Sequence, residues 1–371
     1  LLLFFTRLAL PDTAVAVCYL WALFFFLRFL DKPTIAQSIA LGSMVALGWW
    51  FKSTALLAIP SIIVAVIVFL LTQHGKYRYT YILYTLLSLF ITHAVTFFVI
   101  SLPGIARVVP LSQTGHVYTL TELLQFPFFT WFRNAGITVQ MIAMFSSPFT
   151  LPFLIFPLTK RKQSITLWII AIWALLPMVI EIFLAHIYNS RYIIIAIAPT
   201  ILVFMMGLDM VRRWKNQIVG FTLIPSLIVS ITLIYAPLTF YRLTDALPAV
   251  HNDLSQYMVG WSSGWGVHEA AAFLEKKIDA SPAVIFVRAD SGNPEDAMYL
   301  YVQKNKNVRV FPLTYLEQVT TGTKNIPGIS YYFISRGTQM GGLERQTTQL
   351  ARFHKPLDEE FVGVYRYWPN D

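Results

Sequence analysis

Long apolar runs separated by short polar knots fill residues 1–236, and the runs are too long for strands. A bilayer core takes about 20 apolar residues per helix, with about 17 to 25 tolerated. Eight runs meet that length: 13–30, 35–51, 54–72, 79–101, 136–158, 165–186, 192–211 and 218–236. The run 35–51 is the most diluted, by Gly42, Ser43 and Gly48. It ends in Trp49 and Trp50, residues suited to the membrane–water interface. Between the spans, residues 120–133 form an aromatic, weakly charged stretch that suits a helix lying in the interface, either walling a lipid groove or packing on the bundle.

Beyond about residue 239 the periods shorten. A helical pattern ends near Ile278, and strands are expected at 282–287, 308–312 and 329–335. Helices are expected at 294–304, 316–319 and 343–353, and 361–367 alternates like a half-buried edge strand. The expected architecture is an α-helical multi-pass membrane bundle over 1–238, followed by a small α/β domain over 239–371.

Composition narrows the class. Only 13% of the 371 residues are charged, about half the usual ~25%, and the mean hydropathy is +0.59. That excludes a disordered chain, a disulfide-rich scaffold and an ordinary cytosolic enzyme. The lone cysteine, Cys18, can form no internal disulfide. The net charge of +9 would suit nucleic acid, but its distribution does not. Residues 1–236 hold 15 Lys/Arg against 5 Asp/Glu, while the remainder holds 13 against 14. The excess therefore sits in the loops of the apolar part, and nucleic acid is excluded as a partner.

Those loops alternate. Arg28, Lys32, Lys76, Arg78, Lys160, Arg161, Lys162, Arg212, Arg213 and Lys215 fall on one side; Arg7, Lys52, Arg107, Arg133 and Arg191 fall on the other. The richer side is expected to be cytoplasmic. The loop 102–135, the turn 187–191 and the C-terminal domain then face outward. The chain opens at Leu1 inside an apolar run, which leads to the expectation that its start, with an odd number of spans, is missing.

Ionisable groups in or beside spans mark candidate chemistry. Asp12 follows Arg7 at the head of the first span; it either accepts backbone N–H bonds there or lines an outward site. Lys52 stands at the outer end of 35–51, as a snorkelling side chain or an anion ligand. Glu181 lies inside a span; extended as a helix, it would share a face with Tyr188 and stand on the order of 15 Å from Arg191. Arg191 and Tyr192 form an outward turn, and a guanidinium there suits a lipid phosphate. His93, His116 and His186 have no metal-ligand spacing. In the C-terminal domain Asp290, Glu295 and Asp296 cluster near a strand end, where a solvated loop is the plainer reading.

The order of these features resembles the C-type integral membrane glycosyltransferases. Arg7, Pro11 and Asp12 precede a span; a short Gly-rich span ends at Lys52; Arg191 and Tyr192 lead into a span containing Pro199; an α/β domain closes the chain. The resemblance covers about residues 1–240 and is greatest to bacterial relatives of protein O-mannosyltransferases and lipid A aminoarabinose transferases. It implies an enzyme of the plasma (bacterial inner) membrane with its site outside the cytoplasm. A sugar would pass from a polyprenyl-phosphate donor to a lipid, glycan or protein acceptor. It implies Asp12 as a secondary acid, with Lys52, Arg191, Tyr192 and Arg7 around the donor phosphate and Glu181 as a cavity polar group. The principal base would lie upstream of this sequence, leaving the chain by itself inactive. No cofactor is required, although some members of the wider class use a divalent metal. An O-antigen polymerase or ligase, or a transporter or flippase of lipid-linked sugars, is the alternative.

Overall fold

A computed structural model describes residues 11–72, 78–102, 117–146, 151–152, 154–155, 164–186, 188–209, 215–244, 246–254, 258, 264–278, 281–288, 297–302, 304–313, 325–336, 344–356 and 360–369. The chain divides into two compact units, residues 1–240 with 247–249 and residues 241–246 with 250–371.

The first unit is helical. Its elements are α1 (Asp12–Asp31), α2 (Ile35–Phe51), a 3-10 turn (Ser53–Leu57), α3 (Ala58–Thr72), α4 (Arg78–Ile100), α5 (Leu120–Leu123), α6 (Phe128–Ser146), α7 (Ile165–Leu184), a second 3-10 turn (Ser190–Ile193), α8 (Ile194–Asp209) and α9 (Lys215–Tyr235). Among the described residues six helices are long and apolar enough to cross a membrane: Asp12–Asp31, Ser53–Thr72, Arg78–Ile100, Ile165–Leu184, Ser190–Asp209 and Asn216–Tyr235. The seventeen-residue α2 is apolar but shorter.

The run expected at 136–158 differs. Its helix α6 begins at Phe128, eight residues earlier than expected. Phe126 adopts a left-handed φ of 50°, and Pro127, lacking an N–H to satisfy, stands just before the first turn. The aromatic stretch 120–133 is therefore the one-turn α5, a sharp corner and the head of α6. Part of 147–163, including Lys160, Arg161 and Lys162, lies outside the described residues.

The glycines of α2 are contacts between helices. A Cβ on Gly42 would stand 2.4 Å from the Ser88 carbonyl of α4. The Thr92 hydroxyl donates to the Gly42 carbonyl across the same crossing, at 3.1 Å. A Cβ on Gly48 would meet the Cβ atoms of Ala55 and Cys18 at 2.9 and 3.1 Å. Close backbone approach, helped by small residues, is how membrane helices associate without a hydrophobic driving force between them.

Helix α7 packs against α1, with Trp173, Pro177 and Glu181 following one another at four-residue steps along a buried face. Pro177 has no N–H to give the Trp173 carbonyl, its usual partner four residues back. The Tyr19 hydroxyl of α1 donates to that carbonyl at 2.9 Å. The Tyr19 and Trp173 rings pack at 4.9 Å, and Phe26 continues the stack one heptad on, 5.6 Å from Trp173.

The second unit carries α12 (Val267–Ile278), α13 (Met298–Val302) and strands β1 (Ala283–Arg288), β2 (Val308–Leu313), β3 (Ser330–Arg336), β4 (Thr347–His354) and β5 (Phe361–Tyr367); α10 (Pro237–Thr244) and α11 (Pro248–Leu254) lie at the division between the units. The mixed sheet has the order β2-β1-β3-β5-β4. The β2, β1 and β3 strands run parallel, and β5 is antiparallel to both β3 and β4. One face buries Ile285, Ile334 and Val364 against Ala270 and Leu274 of α12 and Met298 of α13. The other is an aromatic layer of Phe286, Tyr331, Phe333, Tyr365 and Tyr367.

Two expectations for this unit fail. Residues 347–353, expected within a helix, lie in strand β4 (Thr347–His354). A β-bulge between Gln349 and Ala351 inserts Leu350, so Leu350, Ala351 and Phe353 all pack on the core. That extra residue breaks the two-residue alternation and imitates a helical stripe. Strand β5, expected at an edge, is internal, because β4 pairs along the side that β3 leaves open. The expected helix at 316–319 and the acidic cluster Asp290, Glu295 and Asp296 lie outside the described residues.

Candidate functional site

Four helix ends meet at one end of the bundle: the starts of α1 and α8 and the ends of α2 and α7. Each delivers one or two of the residues singled out above.

Asp12 is the first residue of α1, directly after Pro11, and is only 3% exposed. Lys52 closes α2 in extended backbone, its N–H bonded to the Gly48 carbonyl at 3.1 Å. The Lys52 ammonium donates to an Asp12 carboxylate oxygen, a pair spanning forty positions of sequence. Gly48 makes this possible: with no side chain, it lets the 3-10 turn after Lys52 fold back against α1 and α2. Asp12 thus serves the pair rather than a helix cap, and it also sits favourably at the positive end of the α1 dipole.

Arg191 and Tyr192 belong to the 3-10 turn that opens α8. The Tyr192 ring contacts two cations, 5.3 Å from the Lys52 ammonium and 5.4 Å from the Arg191 guanidinium. Such contacts contribute about 0.5–1 kcal/mol when exposed and about 2 when desolvated. Tyr192 therefore holds both positive charges near one ring. Beside it, at 6.0 Å, lies the fully buried Tyr188 ring, whose hydroxyl accepts a bond from Thr138 of α6 at 3.0 Å. Burial pushes the Tyr188 phenol far above its ordinary range, with the Glu181 charge adding to it.

Glu181 lies one turn from the end of α7 and is 7% exposed. Neither carboxylate oxygen has a hydrogen-bond partner among the described residues. Its electrostatic neighbours are Lys52 and Asp12, and Lys52 in turn feels Asp12, Arg191 and Glu181. The expected straight helix from Glu181 to Arg191 does not form. Helix α7 ends at Leu184, so Glu181 and Tyr188 do not share a helical face and Arg191 is not a helical rise away. The chain turns at Ala185 and brings Tyr188, Arg191 and Tyr192 back toward Glu181.

A clasp holds that turn. Tyr118 N–H bonds to the Leu184 carbonyl at 2.8 Å. The Asn134 amide donates to the Ile182 and Ala185 carbonyls at 3.1 and 2.9 Å. The Trp131 indole N–H donates to the Phe183 carbonyl at 3.0 Å, and the Arg133 guanidinium to the His186 carbonyl at 3.1 Å. Three side chains and one backbone N–H from 118–134 thus satisfy the open carbonyls at the end of α7. His186 stacks on Tyr118 at 3.8 Å and approaches Glu122 at 3.4 Å.

The structure therefore brings together Asp12, Lys52, Glu181, Arg191 and Tyr192; Arg7 and His116 lie outside the described residues. His93 is apart, exposed on α4 with a ring nitrogen against the Leu89 carbonyl at 2.8 Å. Tyr19, Trp173, Pro177 and Thr138 escaped sequence reasoning, because hydroxyls and proline within apolar runs carry no signal of their partner. Among the described residues no three His, Cys, Asp or Glu side chains gather. In chemical terms the site offers two cations about one aromatic ring, one paired carboxylate and one carboxylate without a hydrogen bond among the described residues. Comparison with protein-family models, with curated proteins and with solved structures finds no significant match to this chain.

Proposed function

We propose that the protein is a membrane glycosyltransferase acting at the outer face of a plasma (bacterial inner) membrane, moving a sugar from a polyprenyl-phosphate donor to a lipid, glycan or protein acceptor. The observation that carries the reading is the convergence of Lys52 and Arg191 about the Tyr192 ring at one end of the apolar bundle. Two cations held at the level where a lipid headgroup lies suit a phosphate anchored by an isoprenoid tail. In the reaction an acceptor hydroxyl oxygen bonds to the anomeric carbon. The bond from that carbon to phosphate oxygen breaks, the electron pair leaves on polyprenyl phosphate, and the hydroxyl proton passes to a carboxylate base. Lys52 and Arg191 stabilise the charge that develops on the departing phosphate. Asp12, bonded to Lys52, holds that cation in place and is the secondary acid of the site. The eight spans, the cytoplasmic basic loops and the outward C-terminal domain belong to the same proposal.

The test is transfer from a radiolabelled polyprenyl-phosphate sugar in membranes expressing the complete open reading frame. Arg191→Ala and Asp12→Asn are expected to lower turnover by at least tenfold. Unchanged transfer in both variants would remove the site. Vectorial movement of the intact lipid-linked sugar, without cleavage of its phosphate ester, would favour the flippase instead.

A further inference from the structure

Helix α7 keeps one side open along its length. Leu175, Val179 and Phe183 follow one another at four-residue steps and are 41 to 43% exposed, while Trp173, Pro177 and Glu181 fill the buried side. On a helix long and apolar enough to cross a bilayer, such a stripe meets lipid tails. The stripe does not stop where α7 stops. The Phe183 ring meets Trp131 edge to face at 4.9 Å. Trp131 in turn meets Phe128 at 5.3 Å and Phe126 at 6.3 Å, and those two rings stack at 5.8 Å. One aromatic chain thus runs from the last turn of a span onto the corner between α5 and α6. The Trp131 indole N–H, bonded to the Phe183 carbonyl, fixes it there.

The corner turns its apolar side chains outward. Leu120, Leu124, Phe126, Phe128, Phe129 and Phe132 are 57 to 83% exposed. Its polar groups turn toward the clasp. Between residues 118 and 134 the only charged side chains are those of Glu122 and Arg133. Glu122 accepts from the Thr119 N–H and approaches His186, and Arg133 donates to the His186 carbonyl. Asn134, Ile137, Thr138 and Met141 make the buried face of α6; of these, Ile137 and Met141 pack with Ala185 and Tyr188. Phe126 gives a second sign. A bulky residue at a φ of 50° is strained, and glycine would turn this corner at less cost. Water offers an open ring at such a position nothing, whereas the boundary between headgroups and acyl chains favours it.

We propose that the α5–α6 corner is an anchor for a phospholipid surface: its exposed rings and leucines enter the headgroup–acyl boundary of the leaflet that holds the end of α7. Continuity with the α7 stripe identifies the occupant, because the lipid that covers the stripe also meets the corner. The anchor is a knuckle rather than a helix lying flat, since α5 has one turn and α6 turns its polar side into the protein. It ties the lipid surface to the clasp, and through the clasp to the turn that carries Arg191 and Tyr192. The anchor stands or falls apart from sugar transfer.

The experiment places nitroxide labels singly at Phe129→Cys and Phe132→Cys of the full-length protein, with Cys18→Ala removing the native thiol. The host is a nanodisc of phosphatidylcholine and phosphatidylglycerol. Collisions with oxygen and with a water-soluble nickel chelate report depth. Both labels are expected about 5–10 Å into the headgroup–acyl boundary. Val179→Cys serves as the lipid reference and Lys306→Cys as the water reference. Nickel access equal to the Lys306 reference overturns the anchor; so does exclusion of both reagents, which marks a protein cover. The unsubstituted protein gives a check free of folding effects. Photolysis in bilayers holding diazirine-tailed phosphatidylcholine should attach lipid within residues 120–132 as well as on α7. Adducts confined to other segments overturn the anchor.

Discussion

The bond between Tyr19 and the Trp173 carbonyl can be isolated by a double-mutant cycle, because the structure names both the reason for the bond and a way to make it unnecessary. Pro177 leaves the Trp173 carbonyl without its helical donor, and Tyr19, 2% exposed, fills the vacancy from α1. Tyr19→Phe removes the donor and leaves a buried carbonyl orphaned. Orphaning a buried acceptor costs about 1–3 kcal/mol in soluble proteins, while side-chain bonds between membrane helices average about 0.6 and reach about 1.7. A loss of about 1–1.5 kcal/mol is expected. The second contact of Tyr19, with the Ser61 hydroxyl at 3.2 Å, adds little, since Ser61 also donates to the Leu57 carbonyl at 3.0 Å. Pro177→Ala restores a backbone N–H that can return to the Trp173 carbonyl within α7. In that background Tyr19→Phe should cost no more than a few tenths of a kcal/mol, leaving a coupling of about 1 kcal/mol. Equilibrium unfolding of the four proteins in mixed detergent micelles, followed by tryptophan fluorescence, gives the four free energies. An equal cost of Tyr19→Phe in the wild-type and Pro177→Ala backgrounds would refute the reasoning and leave Tyr19 as a packing residue only.

The remaining predictions test the helix crossings, the ion pair and the clasp. Gly42→Ala drives a Cβ into the Ser88 carbonyl and should destabilise by about 1–3 kcal/mol. Gly136→Ala in α6 meets nothing within 4 Å and should stabilise by about 0.5–1 kcal/mol, both read by the same unfolding assay. Lys52→Ala leaves Asp12 as an unpaired buried anion and should cost about 3–5 kcal/mol, whereas Lys52→Met with Asp12→Leu should recover most of that loss. The Glu122 carboxyl is held below its ordinary range chiefly by the Thr119 N–H, then by the Thr119 hydroxyl and His186. Its contribution to α5 is therefore full above the ordinary carboxylate range and lost as pH falls below it. A spin label at Leu124 should gain mobility on that acid limb in the wild type and be mobile at every pH in Glu122→Ala, whereas Glu122→Gln, whose amide oxygen still accepts the Thr119 N–H, should hold it at every pH.

What the sequence disclosed and what it withheld divide along one physical line. The length of an apolar run is a local property, so most helices were legible within two or three residues, and charged residues at their ends announced themselves against an apolar background. Pairing is not local. Asp12 and Lys52 were each visible, yet nothing in either segment says that one bonds the other. The Gly48 that brings them together read merely as a dilution of its span. Tyr19 and Pro177 carry no mark in their separate spans, and only the Trp173 carbonyl between them joins the two. Extrapolating α7 as a straight helix set Glu181 and Arg191 apart, because the end of that helix is fixed by Asn134, Trp131 and Arg133 from a distant segment. In the α/β unit the bulge at Leu350 and the pairing of β4 along β5 misled for a similar reason: alternation reports which residues are apolar, not what pairs with them.

Among the described residues the buried and half-buried charges of the bundle lie at one end, and that bears on what the bundle does. A path for a solute across the membrane needs polar contacts through its depth. Among the described residues, several hydroxyls inside the bundle are turned to its own backbone instead. Ser88 donates to the Thr85 carbonyl at 2.8 Å, Thr85 to Tyr81 at 2.7 Å, Thr92 to Gly42 and Tyr19 to Trp173. Each is a bond within or between packed helices, and none of these four is left over to greet a solute. The charges buried or half-buried in the bundle among the described residues, Glu181, Lys52, Asp12 and Arg191, gather at one end. A charged cluster confined to one end can receive a lipid headgroup from the leaflet beside it, while the reacting bond stays at the surface and the tail stays in the bilayer. That arrangement supports chemistry on a lipid-borne phosphate over passage across the bundle. It also explains why a carboxylate as exposed to electrostatic cost as Glu181 stands beside the cations rather than deeper among the hydroxyls.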